Sequence, residues 1–128
     1  MTIWDEIDTI YDQAADNGDG TCTFSVPGSF SGYRGHFPGN PILPGIVQLS
    51  FIRRLAERRL GIPLRLAGVR RIKYLRLITP DLPVTLKLAL AKTEPDDGTW
   101  TADASFLNGE GGRVSAAKLF FASKESAS

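Results

Sequence analysis

Apolar and polar residues alternate along most of the C-terminal two-thirds of the chain. Leu82, Val84, Leu86, Leu88 and Leu90 take every second position, which places them on one face of a strand. Trp100, Ala102, Ala104 and Phe106 repeat the pattern. Arg65 to Ile78 alternates as well, but its phase breaks near Tyr74-Leu75, as a β-bulge would make it. Val114 to Phe121 predicts a last strand. Pro95-Asp96-Asp97-Gly98 and Asn108-Gly109-Glu110-Gly111-Gly112 are turn sequences that join these strands into hairpins. Towards the N-terminus, Thr21 to Val26 reads as a strand behind the tight turn Asn17-Gly18-Asp19-Gly20. The segment Ile3 to Gln13 fits two elements. It can pair across that turn as a hairpin, or form a helix with Trp4, Ile7 and Ile10/Tyr11 on one stripe.

A single clear helix runs from Pro44 to Leu60. Proline suits its first turn because no N–H donor is needed there, and Gly61 and Pro63 end it. At 100° per residue Ile46, Leu49, Ile52, Ala56 and Leu60 share a stripe. Ile46 to Ile52 carries no charge on any side, whereas Arg53 to Arg59 is charged on several. The helix should therefore enter the core with its first two turns and emerge with its last two. Strands, one buried helix and an antiparallel meander make an α+β fold with a helix packed on a sheet.

Composition narrows the class. The 128 residues fit one domain, 1–128, and a chain of this length builds a core without disulfides or metals. Cys22 is the sole cysteine, so no internal disulfide forms, and there is no Cys/His cluster for zinc; no metal is expected. No apolar run approaches the roughly 18 residues of a membrane span. The segment Met1 to Glu6 lacks the basic flank of a signal peptide, so a cytoplasmic location is expected. A net charge of +1 makes no overall case for nucleic acid. The charge is unevenly spread, however. Met1 to Gly20 holds six acids and no base, and Arg53 to Arg76 holds nine bases against Glu57 alone. That basic run is either a solvated face or a docking surface for an acidic partner.

Pro27 to Pro44 is a long Gly/Pro-rich loop, and loops of this length in compact domains are usually functional. It carries His36, the one histidine, just ahead of the helix start. A helix N-terminus offers free N–H groups and partial positive charge, which can stabilise an oxyanion on a thioester carbonyl. A neutral imidazole beside it can remove the acidified α-proton. A lone His can equally be structural.

The run His36-Phe37-Pro38-Gly39-Asn40-Pro41-Ile42-Leu43-Pro44-Gly45-Ile46-Val47-Gln48-Leu49 resembles the signature of the FabZ and FabA 3-hydroxyacyl-acyl-carrier-protein dehydratases. Its wording is most similar to the ApeI-like branch, associated with aryl-polyene and related fatty-acid-type pathways. Thr79-Pro80-Asp81 resembles the family's Pro-Gly-Asp turn with one glycine missing. The resemblance implies a single hot-dog domain, an antiparallel sheet wrapped around the central helix at about 44–60. It implies a dimer, with itself or with another hot-dog protein, whose sites lie at the interface. His36 would act as base at the α-carbon, and the Gly45 N–H would polarise the thioester carbonyl. Phe37, Pro44, Ile46 and Val47 would line the acyl tunnel. No cofactor is implied, since the substrate rides on the phosphopantetheine of an acyl carrier protein. Carriers are usually acidic near that arm, so Arg53, Arg54, Arg58, Arg59, Arg70, Arg71 and Lys73 are candidates to dock one.

At one position the chain departs from this pattern. Fourteen residues after the His, where the family has Glu or Asp as proton donor, this chain has Ser50. Serine is no general acid near neutral pH, though it can orient a water. Losing a positioned donor typically costs on the order of 10² to 10⁴ in rate. Glu57, two turns on, and Asp81, on a strand turn, are not obvious substitutes. Three readings stay open: a differently tuned dehydratase, a non-catalytic subunit that pairs with an active one, and an acyl-thioester hydrolase or binding protein.

Overall fold

The structure is a computed structural model that describes residues 2–33, 42–93 and 97–124. The ambiguous first segment is a helix, α1 (Ile3–Asp12). Thr2 and Asp5 close a reciprocal capping box at its start, which satisfies two otherwise free N–H groups. Ile7, Ile10 and Tyr11 face the core, and Tyr11 donates its hydroxyl to the Phe51 carbonyl at 2.5 Å. The hairpin alternative survives only as a remnant: β1 (Ala15–Asp16) pairs with β2 (Thr21–Ser25) across the predicted turn.

The central helix, α2 (Gly45–Leu60), begins and ends close to the predicted positions, with Gly61 in the left-handed conformation at its C-terminus. Strands β3 (Leu64–Tyr74), β4 (Pro83–Lys92), β5 (Thr99–Asn108) and β6 (Arg113–Ser123) follow. The six strands form one antiparallel sheet in the order β1-β2-β4-β5-β6-β3. Leu86, Leu88, Ala102, Phe106, Leu119 and Phe121 point from it into one core with Phe51, Ile52, Leu55 and Ala56 of α2. This is the α+β hot-dog arrangement, a helix held in a curled sheet.

Three expectations need correction. The buried stripe of α2 is Val47, Gln48, Phe51, Ile52, Leu55 and Ala56, rotated from the predicted one, and Ile46 is 69% exposed. The first half of the helix carries no charge, and its polar residues Gln48 and Ser50 lie about 200° apart around it, so periodicity had no single polar face with which to fix its rotation. Leu82 is exposed rather than inward. It follows Asp81, which among the described residues is the non-glycine residue with positive φ (+67°), and that turn releases the chain before β4 begins. The register shifts of β3 lie between Leu66 and Gly68 and between Val69 and Arg71, upstream of the predicted break. At the predicted position the chain does something related: the N–H groups of both Leu75 and Arg76 converge on the Val114 carbonyl, at 2.9 and 3.0 Å.

Candidate functional site

The start of α2 is built to leave donors open. Pro44 precedes it with extended backbone and makes no side-chain cap. The N–H groups of Val47 and Gln48 already donate to the Pro44 carbonyl, so those of Gly45 and Ile46 stand ahead of the first helical bond. Three contacts hold this end in place. Leu43 donates its N–H to the Ile78 carbonyl at 2.8 Å, tying the entering chain to the β3–β4 connection. Gln48, 4% exposed, donates Nε2 to the Leu43 carbonyl at 3.2 Å. Ser115 of β6, also buried, donates its hydroxyl to Gln48 Oε1 at 2.9 Å. A buried amide satisfied at both ends orients its helix more tightly than an apolar residue would.

Tyr74, at the end of β3, completes the helix entry. Its ring and hydroxyl fill the space a side chain at position 45 would need, which gives Gly45 a steric reason to be glycine. Partial burial raises the Tyr74 phenol above its ordinary value of 10.0, so it stays a neutral donor across the physiological range.

The family scan matches the ApeI-like model, described as ApeI dehydratase, over residues 12–109. The chain belongs to the ApeI-like dehydratase family. Among curated relatives it is 27% identical to the 3-hydroxyacyl-[acyl-carrier-protein] dehydratase FabZ of Levilactobacillus brevis, over 66% of this chain and 62% of that protein. It thus spans under two-thirds of that relative's length. Among solved structures it is similar to the dehydratase heterocomplex ApeI:P from Xenorhabdus doucetiae, with TM-score 0.65 and 17% identity over 86% of this chain and 94% of that one. It is also similar to a hypothetical thioesterase with coenzyme A from Streptococcus pneumoniae, with TM-score 0.62 and 19% identity over 95% and 94%. At those identities the structural likeness bears on the fold.

Of the residues that the ApeI-like pattern singles out, His36 and Phe37 lie outside the described residues. Pro44 and Gly45 are half-buried at the helix entry, Val47 is buried, and Ile46 is exposed. Ser50 is half-buried on the same face as Ile46, Leu49 and Arg53. These four line a hollow of about 150 Å³ with Trp4, Leu66 and Phe121. The Ser50 hydroxyl makes one long bond, 3.4 Å, back to the Ile46 carbonyl. Glu57 accepts from the Leu64 N–H at 2.8 Å and lies 3.5 Å from Arg54, so it fastens the helix C-terminus to β3. Asp81 sits nearer the loop than its sequence position suggested. Burial first, and then the Asp81 charge, pushes the Tyr33 phenol up to about 12, and Tyr33 is three residues before His36.

The basic run does not form one face. Arg54 pairs with Asp8 at 2.7 Å, and Arg58 reaches Asp8 and Asp12 at 3.1 and 2.8 Å. Arg53 lies 4.3 Å over the Trp4 ring. Arg59 donates to the carbonyls of Leu88 and Gly20. The helical half of the run therefore binds the acidic α1 and the sheet. Arg70 and Arg71 stand apart on the sheet's outer side, and Lys73 is exposed on the same strand. The acidic N-terminal segment and the basic helix were each visible in the sequence. That they neutralise one another was not, because contacts 46 and 50 residues apart depend on the fold. Tyr74 carries no sequence signal that sets it apart. Gln48 does carry one: it is an amide in the uncharged half of the helix.

Proposed function

We propose that this chain acts on 3-hydroxyacyl groups held as thioesters on an acyl carrier protein, converting them to 2-enoyl thioesters in fatty-acid-type or aryl-polyene-type biosynthesis. The observation that carries this is the start of α2. Open N–H donors at Gly45 and Ile46 are fixed by the Leu43–Gln48–Ser115 network, in a chain of the dehydratase family. The thioester oxygen would accept from the Gly45 N–H, and the enolate charge that develops would meet the positive end of the helix. His36 would take the α-proton. The β-carbon–oxygen bond would then break, and the departing hydroxide would need a proton to leave as water. Ser50 cannot supply that proton from its own ionisation; His36 would return the one it took, directly or relayed through a water that the Ser50 hydroxyl orients.

Pairing with a second hot-dog subunit belongs to this reading. β3 is an edge strand, and Leu66 and Val69 on it are exposed, as is Ile46 at the neighbouring helix face. Unpaired edges with apolar side chains are usually covered.

A second reading is favoured by one observation. The side chain at the acid position is a hydroxyl whose one bond is to its own helix, as suits a non-catalytic subunit of a mixed pair. Dehydration assays on 3-hydroxyacyl carrier substrates, with the chain alone and with a partner subunit that has the carboxylate, decide between the two. Turnover by the chain alone that His36→Ala abolishes supports the first. Turnover only in the mixture, unaffected by His36→Ala here, supports the second. Release of free acid from the carrier would instead mean thioester hydrolysis.

A further inference from the structure

Of the arginines on α2, Arg54 and Arg58 hold Asp8 and Asp12, and Arg59 donates to two carbonyls. Arg53 is the exception. Among the described residues it has no ion pair, and its Nε is out of solvent with no hydrogen-bond partner. Its guanidinium lies 4.3 Å over the Trp4 ring. That contact offsets part of the cost of holding a charge there, but it satisfies no N–H. Ser50 lies one turn back on the same face, and both residues line the hollow of about 150 Å³. Among the described residues no acid lines it; its other walls are Trp4, Ile46, Leu49, Leu66 and Phe121. An unpaired guanidinium in an otherwise apolar hollow is costly until an acceptor reaches it.

We propose that Arg53 is a specificity-determining residue that selects acyl groups ending in a carboxylate, two or three carbons beyond the carbon that faces Ser50. The inference rests on the reading that an acyl group passes Ser50. From Ser50 to Arg53 the helix rises by about 4.5 Å, so a group that meets the guanidinium is only a few bonds from that carbon. The phosphate of a carrier's arm is separated from the thioester by the whole pantetheine chain, so it is not that group. The thioester oxygen is neutral and is met at Gly45. The anion therefore belongs to the acyl group itself. Size agrees: at roughly 30 Å³ per water-sized group, the hollow takes about five heavy atoms, as in two methylenes and a carboxylate. The guanidinium fork matches two carboxylate oxygens, and the methylenes would lie against Ile46, Leu49 and Leu66. A plain alkyl tail of the same length would leave the buried Nε without an acceptor, which is how such a site rejects it.

The test uses the full chain and two pantetheine amides, in which nitrogen replaces the thioester sulfur so that no acyl transfer occurs. One carries a 3-hydroxyadipyl group and the other the equally long 3-hydroxyhexanoyl group. Calorimetry should give a Kd at least about tenfold lower for the adipyl amide. Arg53→Gln should reduce that ratio to below about threefold. Arg53→Lys should keep part of it, because an ammonium attracts the carboxylate without the two-point fork. If Arg53→Gln misfolds by circular dichroism, Arg53→Met, which keeps a stem over Trp4, replaces it with the same expectation. Turnover of the matching carrier-bound substrates is measured separately. An adipyl preference that falls with Arg53 in a chain that dehydrates neither substrate upholds the proposal and removes the dehydratase reading. Dehydration of both substrates with equal kcat/KM, and equal Kd for the amides, does the reverse. The proposal is also overturned if neither amide binds at millimolar concentration, or if the preference survives Arg53→Gln. So is it if the parent shows no preference and Arg53→Gln turns a sedimenting dimer into monomer, since the hollow would then receive a carboxylate of the pairing subunit.

Discussion

The Tyr74 hydroxyl lies where a side chain on Gly45 would be: a Cβ at position 45 would meet both Oη and Cζ of Tyr74 at 2.5 Å. Tyr74 at the end of β3 covers the start of α2 in this position because residue 45 has no side chain. Gly45→Ala should turn the half-exposed Tyr74 ring off the helix entry at a cost of about 0.5–1.5 kcal/mol. In a Tyr74→Ala background the same substitution should cost much less. Urea titrations of the four proteins measure the coupling, and equal costs in both backgrounds would show that the two residues do not constrain each other.

The Ser115–Gln48–Leu43 chain makes a related prediction at lower depth in the site. Ser115→Ala strands a buried amide oxygen and should lose about 1–3 kcal/mol. Adding Gln48→Leu removes the orphaned group, so the double variant should lose less than the sum of the singles. Strict additivity would mean that water already serves this amide.

Asp8 ties the acidic helix to the basic one. Burial works against its charge, but hydrogen bonds and charge from Arg54 and Arg58 prevail and hold its carboxyl below the ordinary 3.8. A depressed carboxylate contributes stability that is present above its unfolded value and lost as pH falls through the folded one. The wild-type chain should therefore lose this contribution below about pH 4. Asp8→Asn should be weaker by about 1 kcal/mol near neutrality and show a flatter acid limb. Thermal melts across the acid range check both; an unchanged limb would place the acid sensitivity elsewhere.

Ser50 tests the catalytic reading directly. Ser50→Glu or Ser50→Asp puts a carboxyl group on a half-buried face, where desolvation raises its pKa towards that of a working acid. Dehydratase turnover should rise by at least about tenfold in a variant that folds. No gain over an inactive parent would favour the non-catalytic subunit. A parent already as fast as its acidic relatives would show that Ser50 is not a lost acid.

Ile46 and Leu66 test the pairing. Ile46→Glu/Leu66→Glu places charge on the exposed apolar residues beside the β3 edge and should shift a sedimenting dimer to monomer while circular dichroism stays the same. A wild-type chain that sediments as a monomer at micromolar concentration, with no hot-dog partner bound, would remove the shared-site model.

The local elements were legible in the chain. Alternation at Val84 to Leu90 and at Ala102 to Phe106 needs only neighbours two apart, and the stops at Pro44 and Gly61 are backbone properties of single residues. The His36 to Leu49 run also carried the family. Only the tertiary structure decided which side of α2 is buried, because Ile46 to Ile52 is uncharged on every side and the sheet chooses. The same holds for the pairing of Arg54 and Arg58 with α1, for Tyr74 above Gly45, and for Trp4 beneath Arg53. Each of these rests on side chains far apart in sequence, and their meeting is set by strand order and register, which no local pattern encodes.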